Sequence, residues 1–397
     1  MSQTRVVIAG GGVAALEGAI ALRDLAGDRV AITMLAPQAE LVYQPLSVGS
    51  PFALGSAKRY PLADMAERLD VDLRHEALES VETGGRSVRT DGGEHPYDAL
   101  LVAVGAKREP AYEHALTFRG QEDTEPAHGL VQDLEGGYVR RFAFVVPPGG
   151  AWPLPLYELA LMTARRARET GVDADITLVT PEESPLGIFG QQASDAVSGL
   201  LGELGVAVEA RSSAAVERTG EVLLRPGDRR LEVDRIVALP RIVGRAIDGL
   251  PSDDHGFIPI DDHARVRGVG DVYAAGDGAD FPVKQGGIAC QQADAAASSI
   301  ASAAGASVEP EPFRPVLRGQ LITGGAPQFM RHSLEGGHGD DSEVSTETLW
   351  WPPSKISGRY LAPFLGATRE AEQERDAPEV ALDVRQLGDA IVSRSWI

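Results

Sequence analysis

Cysteine is almost missing from this 397-residue chain, where Cys290 stands alone. One thiol cannot close an intrachain disulfide, nor furnish a cysteine-based zinc or iron–sulfur site. Positive charge is also scarce: 37 basic residues face 58 acidic ones, a formal net charge of -21. Such a surface repels nucleic acid and anionic lipid headgroups, so neither is an expected partner. Lysine occurs at only Lys58, Lys107, Lys284 and Lys355. No apolar run approaches the roughly 20 residues that span a bilayer, and Met1 to Arg5 lead straight into a strand. The expectation is a soluble, cytoplasmic protein without a signal peptide or transmembrane segment. The eight histidines are scattered and do not pair at metal-ligand spacing, so no metal is expected; His332 and His338 flank a Gly-rich acidic loop that reads as solvated.

What is present suits a globular α/β protein. Hydrophobic residues make up 43% of the chain, enough for two or three packed domains, and the 45 glycines and 26 prolines punctuate apolar runs without any fibrous period. Arg5 to Ala9 forms a short apolar strand, Gly10 to Ala15 a turn, Leu16 to Leu25 a helical pattern and Val30 to Leu35 a second strand. That is a βαβ unit opening a parallel sheet. Val71 to Val81 alternates like strands of a small sheet, and Tyr97 to Gly105 is a buried strand ending in a turn. The pattern then restarts: strand Phe142 to Val146, loop Pro147-Pro148-Gly149-Gly150, helix Leu156 to Arg168, strand Ile176 to Val179. The echo predicts a duplicated nucleotide-binding architecture. A strand at Asp271 to Asp277 precedes a small-residue helix, Gly287 to Ala304. Strand-like runs at Val316 to Ile322 and Glu347 to Trp351 follow, then helical runs near Glu370 to Arg375 and Val380 to Val392.

Gly10-x-Gly12-x-x-Ala15 lies between strand and helix, as a dinucleotide fingerprint must. The first glycine permits the tight turn, the second lets the backbone approach a pyrophosphate, and Ala15 is small enough for close helix–strand packing. The helix N-terminus turns its positive end toward phosphates. A ribose-binding acid is missing, because Leu35-Ala36-Pro37 follows the second strand. Late in the chain, Gly270-Asp271-Val272-Tyr273-Ala274-Ala275-Gly276-Asp277 places a carboxylate at the end of a buried strand, where it can accept a hydrogen bond from a ribityl hydroxyl.

On these motifs the chain resembles the FAD-dependent pyridine nucleotide–disulfide oxidoreductase superfamily over about residues 5–305. Within it, the sequence is most similar to the sulfide:quinone oxidoreductase, flavocytochrome c sulfide dehydrogenase and type II NADH dehydrogenase branch. Tyr43-Gln44-Pro45-Leu46, Ala103-Val104-Gly105-Ala106, Gly256 to Ile260 and Pro282 to Gly287 support the likeness. The resemblance implies bound FAD, held by Gly10, Gly12, Val13, Ala14 and Ala15 with Ala36 and Ala77. It further implies that Gln44, Pro45, Ala103, Val104 and Gly105 contact the cofactor, as do Gly276, Asp277, Lys284, Gln285 and Gly286. The implied fold is α/β: two Rossmann-like, three-layer (ββα) dinucleotide-binding domains with a C-terminal α+β cap. Residues 1–112 and 248–311 would form the FAD domain, 113–247 an inserted second nucleotide fold, and 312–397 a cap or dimerisation domain, with a homodimer among the assemblies to expect.

The second fold lacks a standard NAD(P)H signature. Pro147 to Glu158 has the wrong glycine spacing and carries Trp152 and several prolines, and Thr180-Pro181 follows the next strand instead of an acid. NAD(P)H therefore remains a cofactor candidate only at a degenerate site. The sulfide-oxidising branch uses a pair of redox cysteines; Trp152 stands where one of them belongs, and no cysteine follows Cys290. A persulfide relay needs two thiols, which disfavours sulfide:quinone oxidation by that route. Three residues are candidates for the chemistry. Lys284 is either a cation beside the flavin or a surface lysine. Trp152 either shields a flavin face or packs in a core, and Cys290 is either a thiol near the flavin or a small buried hydrophobe. The aromatic run at Trp350-Trp351 and Tyr360 to Leu365 fits packing over the flavin or a dimer contact better than membrane attachment. The expected function is transfer of electrons from a small donor through noncovalent FAD to a quinone or other small acceptor. Two alternatives stay open: an NAD(P)H dehydrogenase with a non-standard nicotinamide site, and a non-catalytic flavin-binding sensor or partner-binding protein.

Overall fold

In a computed structural model of the chain, residues 3–149, 151–334 and 342–367 are described. Two five-stranded parallel sheets organise it. The first runs, from edge to edge, Val272–Ala274, Ala99–Val102, Thr4–Ala9, Val30–Leu35, Asp72–Arg74. The second runs Leu116–Thr117, Arg235–Ala238, Arg141–Val145, Asp175–Val179, Val206–Glu209. Each carries a three-stranded antiparallel meander, Leu78–Pro96 and Ser213–Glu232 respectively, and helices complete a three-layer arrangement. The near-continuous apolar character of Val6 to Ala9 and Leu100 to Val102 follows from burial of parallel strands on both faces. A two-stranded antiparallel ribbon, Lys107–Glu109 with Arg241–Val243, links the sheets where the chain leaves and re-enters the first fold.

The alternation read across Val71 to Val81 divides between sheets. Asp72–Arg74 closes the edge of the first parallel sheet, and Leu78–Glu82 starts the meander. The small-residue helix Gly286–Ala303 packs along the first helix, Val13–Ala26. Their closeness explains its composition: a Cβ on Gly18 would lie 2.6 Å from Leu101 Cδ2 and 3.8 Å from the Ala293 methyl.

After residue 312 an antiparallel sheet, Val316–Leu321, Gln328–Ser333 and Ser342–Ser345, covers the second fold. The strand expected at Glu347 to Trp351 is instead irregular. The Thr348 hydroxyl donates to the Trp350 carbonyl at 2.6 Å, and Pro352 and Pro353 follow directly, so the segment turns where a strand would continue. Residues 361–367 are helical. The runs expected at Glu370 to Arg375 and Val380 to Val392 lie outside the described residues, as does His338.

One ion pair joins these parts. Glu158, on the helix Leu154–Thr170, accepts from Lys355 Nζ at 2.6 and 2.7 Å and from the Ile322 amide at 2.7 Å. Lys355 also donates to the Pro45 carbonyl at 3.2 Å. The side chains are 0% and 4% exposed. Removing one partner strands the other charge in a dry interior, at a cost of about 3–5 kcal/mol. We therefore expect Lys355→Met to lower the denaturant midpoint strongly, and Glu158→Leu combined with Lys355→Met to recover most of the loss. Equal destabilisation by the single and double variants, read in urea unfolding of the flavin-loaded protein, would contradict this assignment.

Candidate active site

Two cavities meet between the folds. The larger, about 430 Å³, runs over the carboxyl ends of the first sheet and is lined by Gly10, Gly11, Gly12, Val13 and Ala14 from the fingerprint turn. Ala77, Ala103, Val104 and Gly105 come from two other strand ends, and Gly276 and Asp277 from the last strand. The turn is shaped by its glycines. Gly10 has φ +130°, and a Cβ there would sit 2.2 Å from the Ala103 carbonyl oxygen, so β-carbon-free backbone is required where the two strand ends converge. A Cβ on Gly12 would meet nothing within 4 Å and would project into open space. Helical hydrogen bonding begins with Leu16 donating to Gly12, which leaves the Val13, Ala14 and Ala15 amides ahead of it at the helix start.

Asp277 gives the second sign of a ligand. Its carboxyl lines both cavities yet accepts no hydrogen bond among the described residues. Burial pushes it up from the ordinary aspartate range, against the pull of Arg108 and Lys284. A half-buried acceptor facing a cavity without a protein donor is suited to a ligand hydroxyl. The phosphate-ready helix start, the open cradle at Gly12 and this orphaned carboxylate fit FAD: the first two would hold its pyrophosphate, and Asp277 would accept from its ribityl chain.

Several expected contacts lie elsewhere. Ala36 is fully buried beneath Gly11, and the cavity wall at this strand end is Leu35, Pro37 and Gln38. Ala15 is buried on the inner side of its helix and packs there without reaching the wall. Gln44, Pro45, Lys284 and Gly286 line both cavities, whereas Gln285 lines only the smaller. The Gln285 side chain caps the helix Gly286–Ala303 by accepting from the Ile288 amide at 3.0 Å and donates to the Arg318 carbonyl at 2.9 Å. Gln38 is a residue that sequence reasoning missed. It stands three residues past the strand, directly after Leu35-Ala36-Pro37, and its neutral amide can serve a sugar hydroxyl.

The smaller cavity, about 200 Å³, opens off the first toward the second fold. Trp152 lines it, with its indole edge-on to Phe189 at 5.6 Å between ring centres. Phe118, Leu154, Leu239 and Ile242 add apolar wall. Lys284 sits where the cavities join. Its Nζ donates to the Ala279 carbonyl and lies 3.8 Å from the centre of the Phe257 ring. Burial pulls its pKa down to about 8, with Asp277, Asp280 and Asp253 acting the other way. It is thus a buried cation, not a surface lysine.

Cys290 lines neither cavity. It is fully buried on the face of its helix turned to Glu17; a Cβ on Gly358 would stand 2.8 Å from its Sγ and 2.5 Å from Glu17 Oε2. Burial, reinforced by Glu17 and Asp294, pushes the thiol well above its usual range, so it stays protonated and poorly nucleophilic. Its placement is that of a small apolar residue packed between helices.

The second fold treats its phosphate position differently. Pro153 and Pro155 have no amide hydrogen, and the Leu156 amide bonds to the Pro153 carbonyl at 2.9 Å. This helix start is therefore poor in anion-binding donors. Glu182, two residues beyond the point where an acid was sought, is largely shielded, and its Oε2 accepts from Tyr157 at 2.7 Å and Thr180 at 2.8 Å. Asp261, Asp262 and His263 lie close enough to share an ion, but Asp261 Oδ1 already accepts the amides of His263 and Arg265 at 2.9 Å, as in a turn. No helix among the described residues is long and apolar enough to cross a membrane.

The family model for pyridine nucleotide-disulphide oxidoreductases matches residues 4–298. The ferredoxin reductase component of chlorobenzene dioxygenase from Cupriavidus sp. strain PS12 is 28% identical over 305 residues, covering 72% of this chain and 69% of that protein. An NADH dehydrogenase-like protein of Mycobacterium tuberculosis is 28% identical over 291 residues, 69% and 72% of the two chains. Among solved structures, the sulfide:quinone oxidoreductase of Aquifex aeolicus shares the fold with a TM-score of 0.78 at 17% identity, over 93% of this chain and 90% of that one.

The cradle can be tested directly. Gly12 has φ -93°, so a side chain is conformationally allowed and only the space is lost. Gly12→Val should fold normally but bind FAD at least about tenfold more weakly, read as visible flavin absorption per polypeptide after FAD titration. Undiminished FAD affinity would mean that the pyrophosphate lies elsewhere.

Proposed function

The chain belongs to the pyridine nucleotide-disulphide oxidoreductase family, and from that premise we propose that its FAD passes electron pairs from a small donor to a quinone-like organic acceptor entering the Trp152 cavity. That the protein is an FAD-dependent oxidoreductase follows from the family; the finer reading rests on one observation. The mostly apolar cavity shares Gln44, Pro45, Arg108, Asp277, Lys284 and Gly286 with the cofactor cleft, so a molecule in it adjoins whatever the cleft holds.

Bound FAD supplies the two-electron carrier. The chain supplies the setting. Amides and glycines at Gly10 to Ala15 position phosphate, Asp277 accepts a hydroxyl, Trp152 and Phe118 exclude water from the smaller cavity, and Lys284 keeps positive charge at the junction. Electrostatic stabilisation of incoming negative charge is strongest in such a dry site. Thiol-relay sulfide oxidation falls outside this reading, since Cys290 has no partner thiol and is walled off from both cavities.

A second reading keeps a nicotinamide as donor. It draws on Glu182, whose internal donors both go to Oε2, and on the relatives named as reductase and NADH dehydrogenase-like. An anaerobic titration separates the two. On the main reading, NADH, NADPH and sulfide bleach the flavin band slowly or not at all, while chemically reduced protein is rapidly reoxidised by a water-soluble quinone. Rapid bleaching by either nicotinamide would establish the second reading, and inertness toward quinones would remove the first.

Lys284 adds a pH signature. Below about pH 8 it is charged and favours the reduced, more negative cofactor; above that the cation is lost. The flavin midpoint potential should therefore drop more steeply with pH as Lys284 deprotonates. Lys284→Met should lower the potential by about 30 mV or more at neutral pH, the equivalent of one decade in a two-electron equilibrium, and abolish the bend near pH 8. Spectroelectrochemical titration of both proteins checks this, and an unchanged bend in the variant would assign the titration to another group.

A further inference from the structure

The Trp152 cavity is basic in an acidic protein. Its wall carries Arg108, Arg119, Lys284, Arg318 and Lys355 against a single acid, Asp277, whereas the whole chain has 58 acids to 37 bases. Two of these cations are neutralised locally. Lys355 is held by Glu158, and Arg119 forms a two-bonded pair with Asp123 at 2.7 and 3.0 Å. Lys284 has acids around it, and Arg108 donates to the Arg119 carbonyl at 2.8 Å. Arg318 is different. Half-buried on the strand Val316–Leu321, its guanidinium meets no carboxylate and donates no hydrogen bond among the described residues. The charged group acting on it is another cation, Arg331, which itself pairs with Glu343 at 3.5 Å.

A shielded guanidinium that meets no anion among the described residues is an expensive feature to maintain, and it stands at the wall of a space that also offers aromatic and aliphatic surface from Trp152, Phe118, Leu154, Leu239 and Ile242. Planar, fork-shaped donors of this kind suit carboxylates, which they bind with two parallel hydrogen bonds. We propose that the occupant of this cavity is an apolar, ring-bearing molecule that carries one carboxylate, and that Arg318 recognises that carboxylate. The inference deepens the reading of the cavity as the substrate site and rests on it. The apolar wall takes the ring against Trp152 and Phe118, and Arg318 fixes which end points away from the cofactor cleft. Recognition through one buried charge also gives selectivity: an uncharged analogue of the same shape would leave the guanidinium unpaired.

The test uses redox-inert probes, so that binding is read without turnover. Oxidised, FAD-loaded protein is titrated with 2-naphthoate and with its neutral methyl ester, following perturbation of the flavin spectrum and, independently, heat of binding. Wild type should bind the carboxylate at least about tenfold more tightly than the ester. Arg318→Gln should lose that preference while keeping the ester affinity and the FAD content, and Arg318→Lys should retain part of it. Equal affinity for the two probes, a preference that survives Arg318→Gln, or binding of neither probe would overturn the proposal. Quinone reoxidation measured on the same preparations reports separately on the oxidoreductase reading. Carboxylate preference without quinone turnover would sink the quinone assignment alone, and quinone turnover without carboxylate preference would sink the role of Arg318 alone.

Discussion

The buried pair between Glu158 and Lys355 is the junction on which the architecture depends. Three segments distant in sequence converge on it: the long helix of the second fold, the turn at Pro45 from the first, and the chain that returns after the C-terminal sheet. Neither charge could be buried alone, because desolvating an ion is offset only by a partner with good geometry. Glu158 therefore requires the cap, and the cap requires Glu158. The Ile322 amide on the same carboxylate fixes the end of the covering strand, and the adjoining Ile356 amide donates to the Tyr43 hydroxyl oxygen at 2.8 Å. Because Lys355 and Ile356 also line the Trp152 cavity, the contact that closes the fold shapes the space where chemistry is proposed.

Two folds of similar architecture lie side by side and differ at the corresponding place. In the first, glycine at the strand end and unencumbered amides at the helix start make a receptor for phosphate. In the second, prolines take away amide hydrogens at the equivalent helix start, and Phe189 and Trp152 fill the approach. The C-terminal sheet then packs on this altered fold. Phe189 lies against Gly319, where a Cβ would come within 2.5 Å of the ring, and His332 Nδ1 is 2.6 Å from the Ile188 carbonyl. Loss of phosphate-binding character and gain of a packed cover are thus two aspects of the same surface. The parallel sheet beneath survives because its strands are specified by burial on both faces, which the altered loops leave untouched.

The distance over which each feature is specified explains what can be read from the sequence. Strand–turn–helix units announce themselves within about 30 residues, so the fingerprint, the restart at Phe142 and the Asp277 strand were legible from local patterns. Interactions between distant segments were not. The partners Glu158 and Lys355 are 197 positions apart, and nothing in the neighbourhood of either names the other. Glu182 and Gln38 escape a pattern reading through small offsets: the nucleotide-fold pattern places an acid at the strand end, and these polar side chains stand one or two residues beyond Thr180 and Pro37. Cys290 stays undecided between two roles on sequence alone for another reason. A small-residue helix can present a thiol to a cofactor or to a neighbouring helix, and only the packing against Glu17 and Gly358 decides between them. At Glu347 to Trp351, apolar composition suggested a strand, while the prolines just beyond it governed the backbone.

Charge is partitioned in a way that composition conceals. The excess of acid lies largely outside, where water and salt screen it. Inside, cations gather where the two cavities meet, and there the low dielectric lengthens their reach. Glu158 and Asp123 cancel two of them; Asp277 acts mainly on Lys284 and Arg108. The uncancelled remainder biases the site toward negative charge, whether that charge arrives as an electron pair on the cofactor or as a carboxylate on a substrate. These two demands are compatible only if they act at different ends. Lys284 serves the junction with the cofactor cleft, and Arg318, on the covering sheet, is contributed by a separate part of the chain. With the two cations divided between the first fold and the cap, the proposed recognition of substrate charge by Arg318 would leave Lys284 free to act on the flavin.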